Sequence, residues 1–229
     1  MEDMSDVKII EGKNGEQYAD RSLYRIKHNP KAEPIRMTTL TSLVEYLQQE
    51  TESLEQELFV HVISPTKVSV YSELDAERVR EHLVDVNAKL PEFNFDVYGE
   101  KEMFCIALQS KFVPNKDREL LLKFAGTVER GTIEQYGDDG ISQKATIKTG
   151  IASKTEAIVP NPVKLIPYRT FLEVAQPESD FIFRMRGNIT IECALFEADG
   201  GAWKIEAMKN IAGFLKEELE DLPRLKIIV

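Results

Sequence analysis

Three carboxylates in the second half of the chain, Glu192, Glu197 and Asp199, are the residues whose type and spacing best suit a reaction. Acids on neighbouring strand positions can hold Mg²⁺ for phosphodiester chemistry, and Lys204 follows closely. The pattern therefore allows a metal-dependent enzyme acting on nucleic acid or nucleotides. A structural explanation is favoured, because Asp199 precedes two glycines in a typical turn and Glu192 can be the solvated neighbour of Cys193 on a half-buried strand.

A second group, Tyr168, Arg169, Arg184 and Arg186, contains candidates for an interaction surface. Guanidinium groups beside Tyr168 and Phe171 could bind an anion, since each offers a planar set of donors. In a chain with so many acids, pairing of the arginines with Asp and Glu is the favoured explanation. The sequence therefore supplies interaction candidates and predicts no catalytic or cofactor-binding residue.

The motifs of the common catalytic and cofactor sites are missing from the sequence. His28, His61 and His82 are isolated, and neither Cys105 nor Cys193 has a near partner, so no zinc site is predicted. No G-x-S-x-G, G-x-x-x-x-G-K-[ST] or G-x-G-x-x-G sequence occurs. We expect no cofactor, and a non-enzymatic function is favoured over an enzymatic one.

The composition of the chain indicates which kinds of partner it can bind and in which cellular compartment it works. The 229 residues include 39 Asp and Glu against 29 Lys and Arg, a net charge of −10, which disfavours capture of a nucleic-acid backbone. Two cysteines in apolar surroundings fit a reducing compartment. The first 20 residues lack the pattern of a signal peptide, and no apolar run of about 18 residues occurs. We expect a cytoplasmic protein with no membrane partner.

The elements that must position these residues can be predicted from periodicity. Residues 1–36 are polar and contain Pro30 and Pro34, which indicates an extended N-terminal arm; residues 37–229 form one domain, with a possible subdivision near 130. Apolar residues three and four apart predict helices over 39–51, 100–112, 117–128 and 203–219. Alternating apolar residues predict strands over 58–63, 67–71, 80–90, 132–134, 144–147, 171–175, 181–186, 189–196 and 225–229.

Two predictions concern how the elements join. Pro162 and Pro167 bracket Leu165 and Ile166, which indicates an edge strand or a connector. The helix that begins at Trp203 is expected to lie across the strand 189–196, with Trp203 at the junction. Its facing stripe is expected to consist of Met208, Ile211, Leu215 and Leu219. The predicted fold class is α+β, with mostly antiparallel sheets packed by three to four helices.

Four segments carry a resemblance to a known family. PYRTF, FIFR and LFEADGGAW at positions 167–203, with FCIALQSKF at 104–112, resemble uncharacterised YfdQ-like proteins of bacteriophages and prophages. The resemblance extends from about residue 37 to the C-terminus. It implies a viral setting in an infected or lysogenic bacterial host and an α+β fold, and it carries over no catalytic residue.

Resemblance and composition together give three hypotheses. The first is a non-enzymatic phage or prophage protein that forms a homo-oligomer, or binds a phage or host protein, through its arm and an exposed sheet edge. The second is the metal-dependent enzyme. The third is an inhibitor of a host defence system, whose acidic surface would mimic nucleic acid or occupy a basic groove.

Overall fold

The computed structural model describes residues 8–13, 17–19, 31–49, 52, 56–76, 78–134, 144–148, 154–158, 161–187 and 189–229. Four helices form within them: α1 (Leu40–Gln48), α2 (Lys101–Ser110), α3 (Lys116–Thr127) and α4 (Trp203–Glu218). The strands are β1 (Ile9–Glu11), β2 (Gln17–Ala19), β3 (Ile35–Met37), β4 (Leu58–Ser64), β5 (Lys67–Ser72), β6 (His82–Asn87), β7 (Gly99–Glu100), β8 (Val128–Glu134), β9 (Lys144–Lys148), β10 (Lys154–Ile158), β11 (Val163–Leu165), β12 (Ser179–Arg186), β13 (Glu192–Glu197) and β14 (Leu225–Ile228). The predicted α+β class with mostly antiparallel sheets is confirmed.

The chain divides into two compact units, Met1–Ala32 and Glu33–Val229. In the first unit, β1 and β2 form an antiparallel hairpin in which Ile10 lies opposite Tyr18. The second unit begins just before β3, which pairs in parallel with β6. The sequence-based division at residue 36 therefore cuts through β3.

The first core of the larger unit lies on one face of a five-stranded sheet with the order β14-β4-β5-β6-β3. Leu58, Val60 and Val62 of β4 are fully buried, whereas Phe59 and His61 between them point to the other face and are half-buried. Helices α1 and α4 each add a buried apolar stripe to this core: Leu40, Leu43, Val44 and Leu47, and Ala207, Ile211, Ala212 and Leu215. Each fully buried Leu or Ile contributes about 1.5–3 kcal/mol.

The second core lies on one face of a four-stranded antiparallel sheet with the order β11-β12-β13-β7. Phe181, Phe183 and Met185 of β12 are fully buried against the apolar faces of α2 and α3. The outer edge of β11 is closed by side chains of the α3 N-terminus. Asn115 Nδ2 donates to the Lys164 carbonyl at 2.8 Å, and the Lys164 N–H donates to an Asp117 carboxylate oxygen at 2.7 Å. The predicted edge strand is confirmed.

The predicted partner of α4 is wrong. Its buried stripe, which includes Ile211 and Leu215, belongs to the first core and not to the sheet that contains β13. The reason is that α2 and α3 already cover the apolar face of the four-stranded sheet. Periodicity identifies the apolar stripe of a helix but not the sheet that receives it.

The predicted hairpin between 132–134 and 144–147 is present as paired strands. Strand β8 pairs with β9, with Ile133 opposite Ala145, and β10 adds a third antiparallel strand. The turn predicted at Gly137 to Gly140 lies outside the described residues. Strand β8 begins at Val128, close to the possible subdivision of the domain near residue 130.

Residues 166–178, here called the bridging loop, connect the two cores. The predicted strand 171–175 is wrong, because the chain there winds around the side chain of Gln176. Its Oε1 accepts from the N–H groups of Arg169 and Thr170 at 3.0 and 3.2 Å, and its Nε2 donates to the Phe171 carbonyl at 2.9 Å. These bonds replace the partners that a strand would need. Phe171 and Val174 are buried in the first core.

We expect Glu173 in the bridging loop to stabilise α1. Its Oε1 accepts from the N–H groups of Leu40 and Thr41 at 2.7 and 3.3 Å, so a remote carboxylate caps the helix together with the predicted cap Thr39. Glu173→Ala should lower the free energy of unfolding by about 1 kcal/mol in urea titrations. Glu178→Ala, on an exposed side chain, is the control and should change it by less than about 0.5 kcal/mol. Equal effects would contradict the capping role.

The turn between β12 and β13 depends on Gly187, whose φ is +98°. A Cβ there would collide with the Thr190 carbonyl oxygen, whereas a Cβ on Gly200, at φ +63°, meets open space. Gly200→Ala should cost roughly 1–2 kcal/mol of left-handed backbone strain. Gly187→Ala should cost more, because the collision adds to that strain. Thermal unfolding of both variants checks which one loses more stability. A smaller loss of stability for Gly187→Ala than for Gly200→Ala would show that the turn at Gly187 relaxes easily.

Candidate functional site

A buried arginine connects the bridging loop to the end of β13. Arg169 is only 8% exposed. Its Nη1 donates to Glu197 Oε1 at 2.7 Å, and its Nη2 donates to Ser179 Oγ. The register of the sheet makes this possible, because it places Glu197 opposite Phe181. Two strand ends and a loop therefore meet at one guanidinium group.

Asp199 extends this network to the start of α4. Its Oδ2 accepts from Ser179 Oγ at 2.7 Å and from the Trp203 N–H at 3.2 Å, and its Oδ1 accepts from the Gly201 N–H at 2.9 Å. A carboxylate at the first turn of a helix also interacts favourably with the helix dipole. Asp199 thus fixes both the turn and the beginning of the helix.

The Trp203 ring lies against the same guanidinium. Arg169 Cζ is 3.9 Å from the centre of the Trp203 ring and 5.6 Å from that of Phe181, so two aromatic rings flank the cation. Arg169 Nε and Trp203 Nε1 are buried and have no hydrogen-bond acceptor among the described residues. Trp203 is half-buried and packs on a charged group rather than within a purely apolar core.

In this cluster, burial and the neighbouring charges shift the pKa values of Arg169 and Asp199 in opposite directions. Burial lowers the pKa of Arg169 to about 10, although Glu197 and Asp199 act in the other direction. Partial burial alone would raise the pKa of Asp199. The hydrogen bonds from Ser179, Gly201 and Trp203, with the charge of Arg169, outweigh it and hold that pKa below its ordinary value. Arg169 and Asp199 are therefore both charged at neutral pH.

Tyr168 and Arg169 line a cavity of about 250 Å³ next to this cluster. The Tyr168 N–H donates to the Lys111 carbonyl at 3.0 Å, which holds this part of the loop on the end of α2. Other lining residues come from the segment before β7: Leu90, Pro91, Phe93 and Phe95. A second cavity, of about 360 Å³, shares Leu90 with the first and is lined also by Phe171 and Glu173.

The remaining interaction candidates lie elsewhere. Arg184 and Arg186 alternate along β12 with buried Phe183 and Met185 and so point to the opposite face of the sheet. Arg186 Nε donates to Glu192 at 2.6 Å, and its guanidinium lies 4.0 Å from the centre of the Tyr98 ring. The structure therefore separates Arg184 and Arg186 from Arg169.

The three candidate metal ligands do not converge. Glu192 and Glu197 are five positions apart on β13, which places their side chains on opposite faces and roughly 17 Å apart along the strand. Glu197 and Asp199 meet around Arg169 and Ser179 instead. In the part of the chain that the structure describes, no group of three His, Cys, Asp or Glu side chains could hold a metal ion. The hypothesis of a site built from these three acids is wrong.

Ser179 and Gln176 are the members of the network that sequence reasoning missed. Ser179 lies between the predicted strands 171–175 and 181–186, and its type and spacing give no signal for a role beside Arg169. Its hydroxyl contacts Arg169 and Asp199, and the lowered pKa of Asp199 makes that carboxylate a poor general base. The arrangement suits the positioning of chain segments better than nucleophilic catalysis.

Comparisons with known proteins identify no relative of the chain. No family model, no curated protein and no solved structure matches the chain. Among the described residues, no helix has the length and apolar character needed to cross a membrane.

The lowered pKa of Asp199 makes the stability of the fold dependent on pH. A depressed folded-state pKa gives stability that is present above the ordinary value of 3.8 and is lost as the pH falls through the folded-state value. Asp199→Asn should therefore unfold more easily than the wild type at pH 7, by about 1 kcal/mol. This difference should shrink as the pH falls below 3.8.

Urea titrations at several pH values check this, with Asp180→Asn as the matched control. Asp180 is about half exposed and lies 3.8 Å from Lys164 Nζ, so its substitution should change stability little at any pH. A difference between the wild type and Asp199→Asn that stays constant with pH would contradict an ionised, hydrogen-bonded Asp199.

Proposed function

We propose that the protein is a non-enzymatic bacteriophage or prophage protein that assembles with itself through its N-terminal arm. The observation that carries this proposal is the β1–β2 hairpin, which lies in a compact unit of its own. Its strands are three residues long. A two-stranded hairpin of this size is marginally stable alone, and three or more strands are needed for independent stability.

The side chains of the hairpin supply apolar surface for such a contact. Ile9, Ile10 and Tyr18 are 66%, 60% and 57% exposed. Ile10 lies opposite Tyr18 on one face, and Ile9 lies opposite Ala19 on the other. Among the described residues, each strand has one neighbour in this sheet, which leaves its other edge without a strand. Two hairpins joined edge to edge would form four strands, and a twofold axis would make both copies contribute the same surface.

Other observations favour this function over a metal-dependent enzyme. The acids proposed for metal binding are divided between two faces of a sheet, and the Arg169 network holds segments together. The net charge of −10 disfavours nucleic acid as the partner. The viral setting, in the cytoplasm of an infected or lysogenic bacterium, rests on the resemblance of residues 104–112 and 167–203 to YfdQ-like proteins.

Light scattering coupled to size-exclusion chromatography tests the proposal. The full chain should elute as an oligomer, and Ile9→Ser/Ile10→Ser should be a monomer with unchanged circular dichroism, because both side chains are mostly exposed apolar surface. The control Lys8→Ser/Lys13→Ser changes two exposed polar residues of the same arm and should stay oligomeric. A monomeric wild type, or an oligomer that persists after removal of residues 1–32, would overturn it.

A further inference from the structure

We propose that the cavity beside Arg169 binds a small aromatic carboxylate. The residues that line the cavity all belong to the larger unit. Its volume is about 250 Å³. Sites for drug-sized ligands occupy about 300–1,000 Å³, so the occupant must be a small molecule or a single side-chain-sized group.

The walls of the cavity define an apolar, aromatic part of the ligand. Phe93 and Phe95 contact each other with ring centres 4.8 Å apart, and Phe95 stacks on buried Phe181 at 5.4 Å. Pro91 and Pro167 line the same space. Rings that are already packed against a core keep their orientation, so a flat aromatic ligand would meet a preformed surface.

The polar residues of the walls define the other part of the ligand. Two cations, Arg169 and Lys111, line the cavity, and no acidic side chain occurs among the described residues that line it. Lys111 Nζ donates to the Glu92 carbonyl and, as an ammonium group, has further donors to offer. A carboxylate matches this pair of cations in charge and in hydrogen-bonding capacity.

Arg169 brings a buried cation to the wall of the cavity. It is more than nine-tenths buried, and its Nε–H has no acceptor among the described residues, although buried donors are almost always paired. Glu197 and Ser179 occupy only Nη1 and Nη2. Burial lowers the pKa of Arg169 to about 10, so the guanidinium group stays charged at neutral pH. An anion in the cavity would lie beside this cation and complement its charge.

The neighbouring cavity does not share these properties. Its acid, Glu173, already accepts from two backbone N–H groups of α1, and Lys89 is the cation in its wall. None of the residues that line it has a buried side-chain donor without a partner. The proposal therefore applies to the Arg169 cavity only.

The single tryptophan of the chain provides the measurement. Trp203 lies 3.9 Å from the Arg169 guanidinium, so binding next to Arg169 should change its fluorescence. Benzoate is the probe, and benzamide is its neutral counterpart of the same shape. We expect saturable binding of benzoate by fluorescence and by calorimetry, with benzamide binding at least about tenfold more weakly because it lacks the charge.

Variants of the full chain locate the site. Lys111→Met should weaken benzoate binding about tenfold, whereas Lys164→Met, on a side chain that is 63% exposed outside the cavity, should leave it unchanged. Circular dichroism verifies that both variants fold, and if Lys111→Met does not, Phe95→Ala replaces it with the same expected loss. The absence of saturable binding, equal affinity for benzamide, or equal losses in the two lysine variants would overturn the proposal.

Discussion

The ion pair between Arg169 and Glu197 is the constraint on which the arrangement of the larger unit depends. Transfer of a guanidinium group out of water costs several kcal/mol unless partners replace the lost hydration. Glu197, Ser179 and the Trp203 ring supply those partners, and they come from β13, β12 and α4. The charge can be buried only when these three elements are in place, so the pair makes their positions interdependent.

The bridging loop carries this interdependence to the first core. Thr170, next to Arg169, donates its hydroxyl to the Pro65 carbonyl in the β4–β5 turn at 2.6 Å. Asn210 of α4 donates to the Ala175 carbonyl at 3.0 Å, and Glu173 holds the start of α1. A segment without regular secondary structure thus contacts the turn of one sheet and both helices that cover it. Hydrogen bonds from side chains to the backbone hold this segment in place, and the side chain of Gln176 supplies most of them.

Local periodicity predicted the elements of the fold well, and its failures have physical causes. The stripes of α1 and α4 repeat every three to four residues, and β6 lies within the strand predicted over 80–90, where Val84 and Val86 alternate with polar residues. Residues 171–175 alternate in the same way, yet Gln176 binds their backbone, and no pattern of apolar residues reports such a bond. The sheet that receives α4 is decided by contacts remote in sequence, which periodicity does not contain.

The candidate site was predictable in part. Arg169, Glu197, Asp199 and Trp203 were singled out by type, and the structure brings them together. The separation of five positions between Glu192 and Glu197 already places them on opposite faces of one strand, so strand parity was the available signal against a shared metal. Ser179 could not have been found, because a serine beside a proline-containing turn has many ordinary explanations.

Because β14 pairs with β4, the first sheet can be completed only late in the synthesis of the chain. Leu225 lies opposite Leu58. The strand that closes this edge of the first sheet is therefore synthesised more than 160 residues after β4. Until α4 and β14 have been synthesised, β4 has an unpaired edge and part of the apolar face of its sheet is uncovered. Through most of its synthesis the growing chain therefore lacks the partner of this strand edge and part of the cover of this apolar face.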